Sequence, residues 1–209
     1  MNPMYRDLNL KDYIKSNKIR LSSTDNDFPF DGIWCYTGFQ GSGKTLNLVH
    51  TLMTIKRFYP DCRIISNITL WGIDYEPYKG LESFNSSNGS KGIIYVIDEI
   101  QSLYCSLESA KVPVSMVSVW SQNRKNRRVI LCTSQRFGRI SKPIREQCKY
   151  HIECKKPILG FFRYRVIDAY LYDEDGKLPL DYSPPRFSLY VPKKEYFSVY
   201  DTKEVVKNG

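Results

Sequence analysis

Residues 38–45 read GFQGSGKT, and the six residues ahead of them, GIWCYT (32–37), are a short apolar run. The eight residues fit G-x-x-x-x-G-K-[ST], a loop whose backbone N–H groups wrap a β-phosphate while its glycines let the chain come that close. In that reading Gly38, Phe39, Gln40, Gly41, Ser42, Gly43, Lys44, Thr45 and Leu46 form the nucleotide-binding set. Lys44 reaches the β- and γ-phosphates of ATP and Thr45 holds Mg²⁺. Beyond the loop, Leu46, Val49, Leu52, Met53 and Ile55 recur at helical spacing, so the positive end of a helix would face the anion. A strand before and a helix after separate this stretch from an ordinary glycine-rich turn.

The loop needs a second half, and IIYVIDEIQ (93–101) supplies one. Its apolar run has the form of a central parallel strand buried on both faces. Asp98, at the strand end, is expected on the strand next to the loop, supporting Mg²⁺ through a coordinated water. Glu99 is expected to orient and polarise the attacking water. The Asp-Glu pair favours a hydrolase over a nucleotide kinase, and no lid for a substrate base is evident. VILCT (129–133) reads as another buried strand, followed by Ser134 and Gln135. Gln135 is expected to contact the γ-phosphate or the lytic water, the alternative being a cap on the sheet end. In ring ATPases an arginine from one subunit neutralises charge on its neighbour's transferring phosphate; Arg124 and Arg145 are the candidates. The remaining arginines either bind DNA or are solvated.

The chain has 209 residues, enough for one sizeable domain, with a globular balance of 42% hydrophobic and 25% charged residues. No apolar run approaches the roughly 20 residues that span a bilayer, and the polar N-terminus has no signal-peptide core. A soluble cytosolic protein is expected. The six cysteines show no C-x-x-C spacing, and His50 and His151 lie far apart, so buried thiols are expected rather than a metal site. Net charge is +9, and Arg124, Lys125, Arg127, Arg128, Arg136, Arg139, Lys142, Arg145 and Lys149 crowd into one short stretch. Such a cluster is either a solvated basic face or a grip for a polyanion; beside a nucleotide-hydrolysing core, nucleic acid is the expectation.

Further strands are expected at 63–70 and 150–154, and helices near 10–16, 114–125 and 141–148. FFRYRVIDAYLY (161–172) alternates and precedes the turn DEDGK, which suggests an antiparallel hairpin on the sheet edge or a small β-appendage. The fold expected is α/β: a P-loop NTPase with a mostly parallel central sheet flanked by helices, plus a small C-terminal β-hairpin appendage. Its divisions are an N-terminal arm (1–30), an ATPase core (31–157) and the hairpin appendage with the tail (158–209).

The order GFQGSGKT, SNITL, VIDEIQ, NRKNRRVILCTSQ, ISKPIREQCKYHI resembles the zonula occludens toxin-like (Zot) ATPases of filamentous phages. Those belong to the FtsK–HerA superfamily of DNA pumps, together with packaging ATPases of membrane-containing viruses. Gln135 followed by Ile140-x-x-x-Ile144-Arg145 is the more discriminating part, and YDTKEV (200–205) resembles a similar segment there. Where filamentous-phage members carry His-Arg-His, this chain has Asn123-Arg124-Lys125, so only Arg124 matches. The resemblance implies ATP- and Mg²⁺-dependent movement of DNA, gripped by its backbone, through a homo-oligomeric ring of five or six subunits. A viral genome-packaging ATPase is the first expectation; a phage assembly or secretion ATPase working with a membrane partner, or an ATP-dependent switch module, are the alternatives. The implied partners are DNA and a capsid or membrane assembly protein. The implied location is the host cytoplasm, in the virion or peripheral at a membrane.

Overall fold

In the computed structural model, described over residues 27–101, 122–173 and 176–200, the opening apolar run is β1 (Gly32–Thr37). It leads through the glycine-rich loop into α1 (Lys44–Phe58), whose last turn carries Lys56 and Arg57 at the helix's negative end. The other elements are β2 (Arg63–Ser66), β3 (Glu76–Pro77), β4 (Ile93–Ile97), β5 (Arg128–Ser134), α2 (Lys142–Arg145), β6 (Cys148–Ile158), β7 (Phe161–Asp168) and β8 (Ser188–Tyr190). They form one eight-stranded sheet in the order β3-β2-β4-β5-β1-β6-β7-β8. The first six strands in that order run parallel, β7 is antiparallel to β6, and β8 is antiparallel to β7. The fold is therefore the expected α/β P-loop fold with a mostly parallel sheet.

Alternation along β1 divides the core. Trp34 and Tyr36 pack with Leu48, Leu52 and Ile55 of α1, whereas Ile33 and Cys35 join Ile130, Cys132, Phe137 and Ile144 on the opposite face. With both faces covered, every residue of β4 and β5 is buried, as parallel strands between two layers require. The described cysteines Cys35, Cys62, Cys132, Cys148 and Cys154 are buried and unbridged. Among the described residues no helix is long and apolar enough to cross a membrane. The helices expected at 10–16 and 114–125 fall outside the described residues or nearly so, as do Cys105 and the tail from 201.

Three expectations are corrected. Asp98 does not follow the strand beside β1: β5 lies between β4 and β1, pairing Val129 with Ile94 on one side and Gly32 on the other. Strand order is a property of the assembled sheet, and sequential strands pair only about two-thirds of the time. Next, the hairpin turns at Leu159 and Gly160, with φ of 50° and 80°, not at DEDGK. Two left-handed residues make the tight turn that suits strand twist, so β6 and β7 are the arms, closing on the pair Ile158 and Phe161. β6 outruns the expected 150–154 because Thr37, the last residue of β1, pairs with Glu153. Past that point no flanking parallel strand demands apolar residues, and Lys155 and Lys156 are exposed. After DEDGK the chain returns as β8 on the outer edge of β7.

The third correction concerns the basic cluster, which does not form a single face. Arg128 is buried and donates to the Phe84 carbonyl, Arg127 pairs with Asp27, and Lys149 with Asp31 at 2.5 Å. Arg124 and Lys125 sit in the turn before β5 begins, whereas Arg136 and Arg139 follow its end. A seven-residue strand between them separates the groups by roughly 20 Å at about 3.3 Å per residue.

Candidate active site

The site lies where β1, β4 and β5 end together. Residues 38–43 leave β1, and Gly43 caps α1 in a left-handed conformation, φ 81°. A Cβ there would also lie 2.5 Å from the Phe162 ring of β7, so the hairpin presses on the loop just where the helix begins. Gly38 is required by closeness: a Cβ would meet the Cys154 carbonyl oxygen at 2.4 Å and Ser42 Oγ at 2.5 Å. Phe39, Gln40 and Gly41 form an exposed crown, while Ser42 and Leu46 are buried beneath it. Lys44 Nζ donates to the Phe39 carbonyl at 3.4 Å.

Opposite the loop, Thr45 Oγ1 donates to Asp98 Oδ1 at 3.1 Å, and Thr133 Oγ1 donates to the same oxygen at 2.7 Å. The Thr133 hydroxyl in turn accepts from the Glu99 backbone N–H at 2.8 Å. Glu99 has φ 51°, a left-handed backbone that a non-glycine residue holds only under constraint. The constraint extends to Asn67, just past β2: Asp98 N–H donates to Asn67 Oδ1 at 2.8 Å and Asn67 Nδ2 donates to the Asp98 carbonyl at 3.0 Å. Three strand ends thus hold the Asp98-Glu99 pair in one pose.

Tests of fit to a phosphate and a hard cation come from the loop itself. Ser42 Oγ is buried with no hydrogen-bond partner among the described residues. The Thr45 hydroxyl and the Asp98 carboxylate, both oxygen donors, converge at bonding distance. The residues present therefore suit a nucleotide phosphate and Mg²⁺.

Gln135 stands at the same end, immediately after β5, exposed, with its Oε1 accepting from Arg139 Nη1 at 2.7 Å. Arg124 and Arg145 do not join the site. Arg124 precedes β5, and Arg145 is three residues ahead of Cys148, which pairs with Ile33 at the start of β1. Both lie at the far end of the sheet from the loop.

Asn67 and Phe162 were not singled out by sequence reading; Thr133 was read only as the end of a buried strand, and His151 only as lying too far from His50 for a metal site. A polar residue directly after an apolar parallel strand is the shared signal of Asn67 and Asp98, and Thr133 closes the apolar part of β5. His151 hides its role inside YHIEC: its Nε2 lies 2.6 Å from Thr37 Oγ1 and its Nδ1 2.5 Å from Tyr172 OH, with Phe137 stacked on the ring. A hydroxyl at each nitrogen satisfies the neutral ring in either tautomer. Burial lowers its pKa from the ordinary 6.5 to about 4, so it stays uncharged beneath the start of the loop.

Comparison with known proteins agrees with this architecture. The structure resembles the N-terminal domain of zonular occludens toxin from Neisseria meningitidis with a TM-score of 0.59 at 18% identity, covering 82% of this chain and 99% of that one. It also resembles B204, the DNA-packaging ATPase of Sulfolobus turreted icosahedral virus, with a TM-score of 0.52 at 12% identity, covering 79% and 99%. The flagellar accessory protein FlaH of Methanocaldococcus jannaschii follows at 0.50 and 11% identity, covering 78% and 86%. At such identities the likeness is one of fold. No curated protein gives a significant sequence match. The family model for zonular occludens toxin (Zot) matches residues 73–205, more than half of the chain and inclusive of Asp98, Glu99, Thr133 and Gln135. The chain belongs to the Zot family.

Proposed function

We propose that the protein is an Mg²⁺-dependent ATPase that works as a homo-oligomeric ring and moves DNA without reading its sequence, acting in viral genome packaging. The observation that carries this reading is the Thr45–Asp98–Thr133 cluster: a loop hydroxyl, a strand-end carboxylate and a neighbouring hydroxyl meet on one oxygen, with Glu99 held beside them. Bound Mg²⁺ would neutralise phosphate charge. Lys44 and the loop amides bind the phosphates, Thr45 and Asp98 orient the metal, and Glu99 takes a proton from the attacking water. Gln135, one residue past β5, monitors the terminal phosphate. Arg124 and Arg145, remote from their own loop, are available to a neighbouring subunit's.

A second reading, a Zot-type phage assembly ATPase acting with a membrane partner, is favoured by the family match and by the higher TM-score of the Neisseria domain. Both readings predict ATP hydrolysis stimulated by DNA. Glu99→Gln should abolish turnover, by on the order of a hundredfold or more, while leaving ATP binding intact. Turnover unaffected by Glu99→Gln would overturn the assignment of the base. A stable ATP complex with no stimulation by any DNA would point instead to a nucleotide-controlled switch.

A further inference from the structure

Two cations meet at one residue of the phosphate loop. Lys44 Nζ is bonded to the Phe39 carbonyl, and the Arg136 guanidinium carbon stands 6.0 Å from the centre of the Phe39 ring. Lys44 in such loops follows the β- and γ-phosphates, so Phe39 marks the side of the loop where the terminal phosphate belongs. Arg136 reaches that side because it comes one residue after Gln135, and β5 pairs directly with β1, Ser134 opposite Thr37.

The other described arginines near β5 are engaged or misplaced. Arg139 donates to Gln135, Arg127 pairs with Asp27, and Arg128 is buried against the Phe84 carbonyl. Arg124 and Arg145 lie at the opposite sheet end. Among the described residues, no carboxylate lies within ion-pair distance of Arg136, which is exposed, as is Phe39 at 67%. A cation over an exposed ring is weakly held, whereas a guanidinium matches a phosphate with two parallel hydrogen bonds.

We infer that Arg136 swings from Phe39 onto the terminal phosphate of a nucleotide held in its own chain's loop, so that the protein distinguishes triphosphate from diphosphate. Phe39 is the rest position, and Arg136 works from the same side as Lys44. This inference rests on the nucleotide-binding reading above.

Calorimetric titration of the full chain with ATPγS and with ADP, each with Mg²⁺, tests it through Arg136→Gln and Arg136→Lys. Arg136→Gln should weaken ATPγS binding roughly tenfold and ADP binding less than about twofold, the loss expected for one charged hydrogen-bonding partner. Arg136→Lys should recover part of the triphosphate preference, since charge remains but the planar fork is gone. An unchanged ATPγS-to-ADP ratio in Arg136→Gln, with the wild type binding both, overturns the role of Arg136 alone. A wild type that binds neither nucleotide overturns the nucleotide-binding reading and this inference with it.

Discussion

Asp98 and Glu99 are the residues on which the proposed chemistry turns, yet neither sets its own position. Thr133 does much of this, donating to Asp98 and accepting from Glu99 N–H while wholly buried. Thr133→Val keeps the shape but removes the hydroxyl, leaving the Glu99 amide without its acceptor. A stability loss of about 1–3 kcal/mol is expected in urea unfolding, with kcat for ATP falling on the order of tenfold and KM nearly unchanged. His151 offers a separate test at this scale. Its folded pKa, about 4, lies below the ordinary 6.5 because burial penalises the charged ring. Between those values the unfolded chain binds a proton that the native chain refuses, so stability falls as pH drops through that window. From about pH 7 to about pH 5 the loss attributable to this residue is about 2 kcal/mol, and His151→Gln should flatten the urea midpoint there. Glu153 acts in a lower window. Burial pushes its pKa up, but hydrogen bonds from Lys155 and Arg165 outweigh that and hold it below the ordinary 4.5, so its contribution is lost only in stronger acid.

At the scale of elements, the meeting of loop, helix and hairpin is what keeps the phosphate loop in shape. Gly43→Ala faces two costs: a left-handed backbone, about 1–2 kcal/mol, and overlap with Phe162. Pairing it with Phe162→Ala should relieve the overlap and not the backbone term. The double variant should therefore unfold less stably than Phe162→Ala alone by about 1–2 kcal/mol, a difference that a double-mutant cycle measures directly. The parallel core was legible because IIYVID and VILCT are apolar throughout and end on polar residues, which is how doubly covered strands read. The outer end of β6 and the turn that follows it were not, because Lys155, Lys156 and Pro157 stand beyond β1 and carry no burial pattern. The Asn67 clamp was invisible for another reason: its partners are the backbone of Asp98, 31 residues away, and local sequence records side chains rather than the amides they meet.

For the whole molecule, the decisive fact is that the loop and the paired candidates Arg124 and Arg145 occupy opposite ends of the sheet. No closure of the chain on itself brings them together, so a phosphate-neutralising role for either requires a second copy. Mixing inactive Lys44→Ala subunits with inactive Arg124→Ala or Arg145→Ala subunits should restore part of the ATPase activity, because some interfaces then pair an intact loop with an intact arginine. Activity no higher than the sum of the separate variants would remove that arginine from the reaction. β5 gives this layout a mechanical meaning. It is buried at all seven residues and paired on both sides, so any shift along its axis would have to break two parallel ladders at once. The residues proposed to meet the terminal phosphate, Gln135 and Arg136, are thereby joined by one buried rod to the 122–127 turn at its other end.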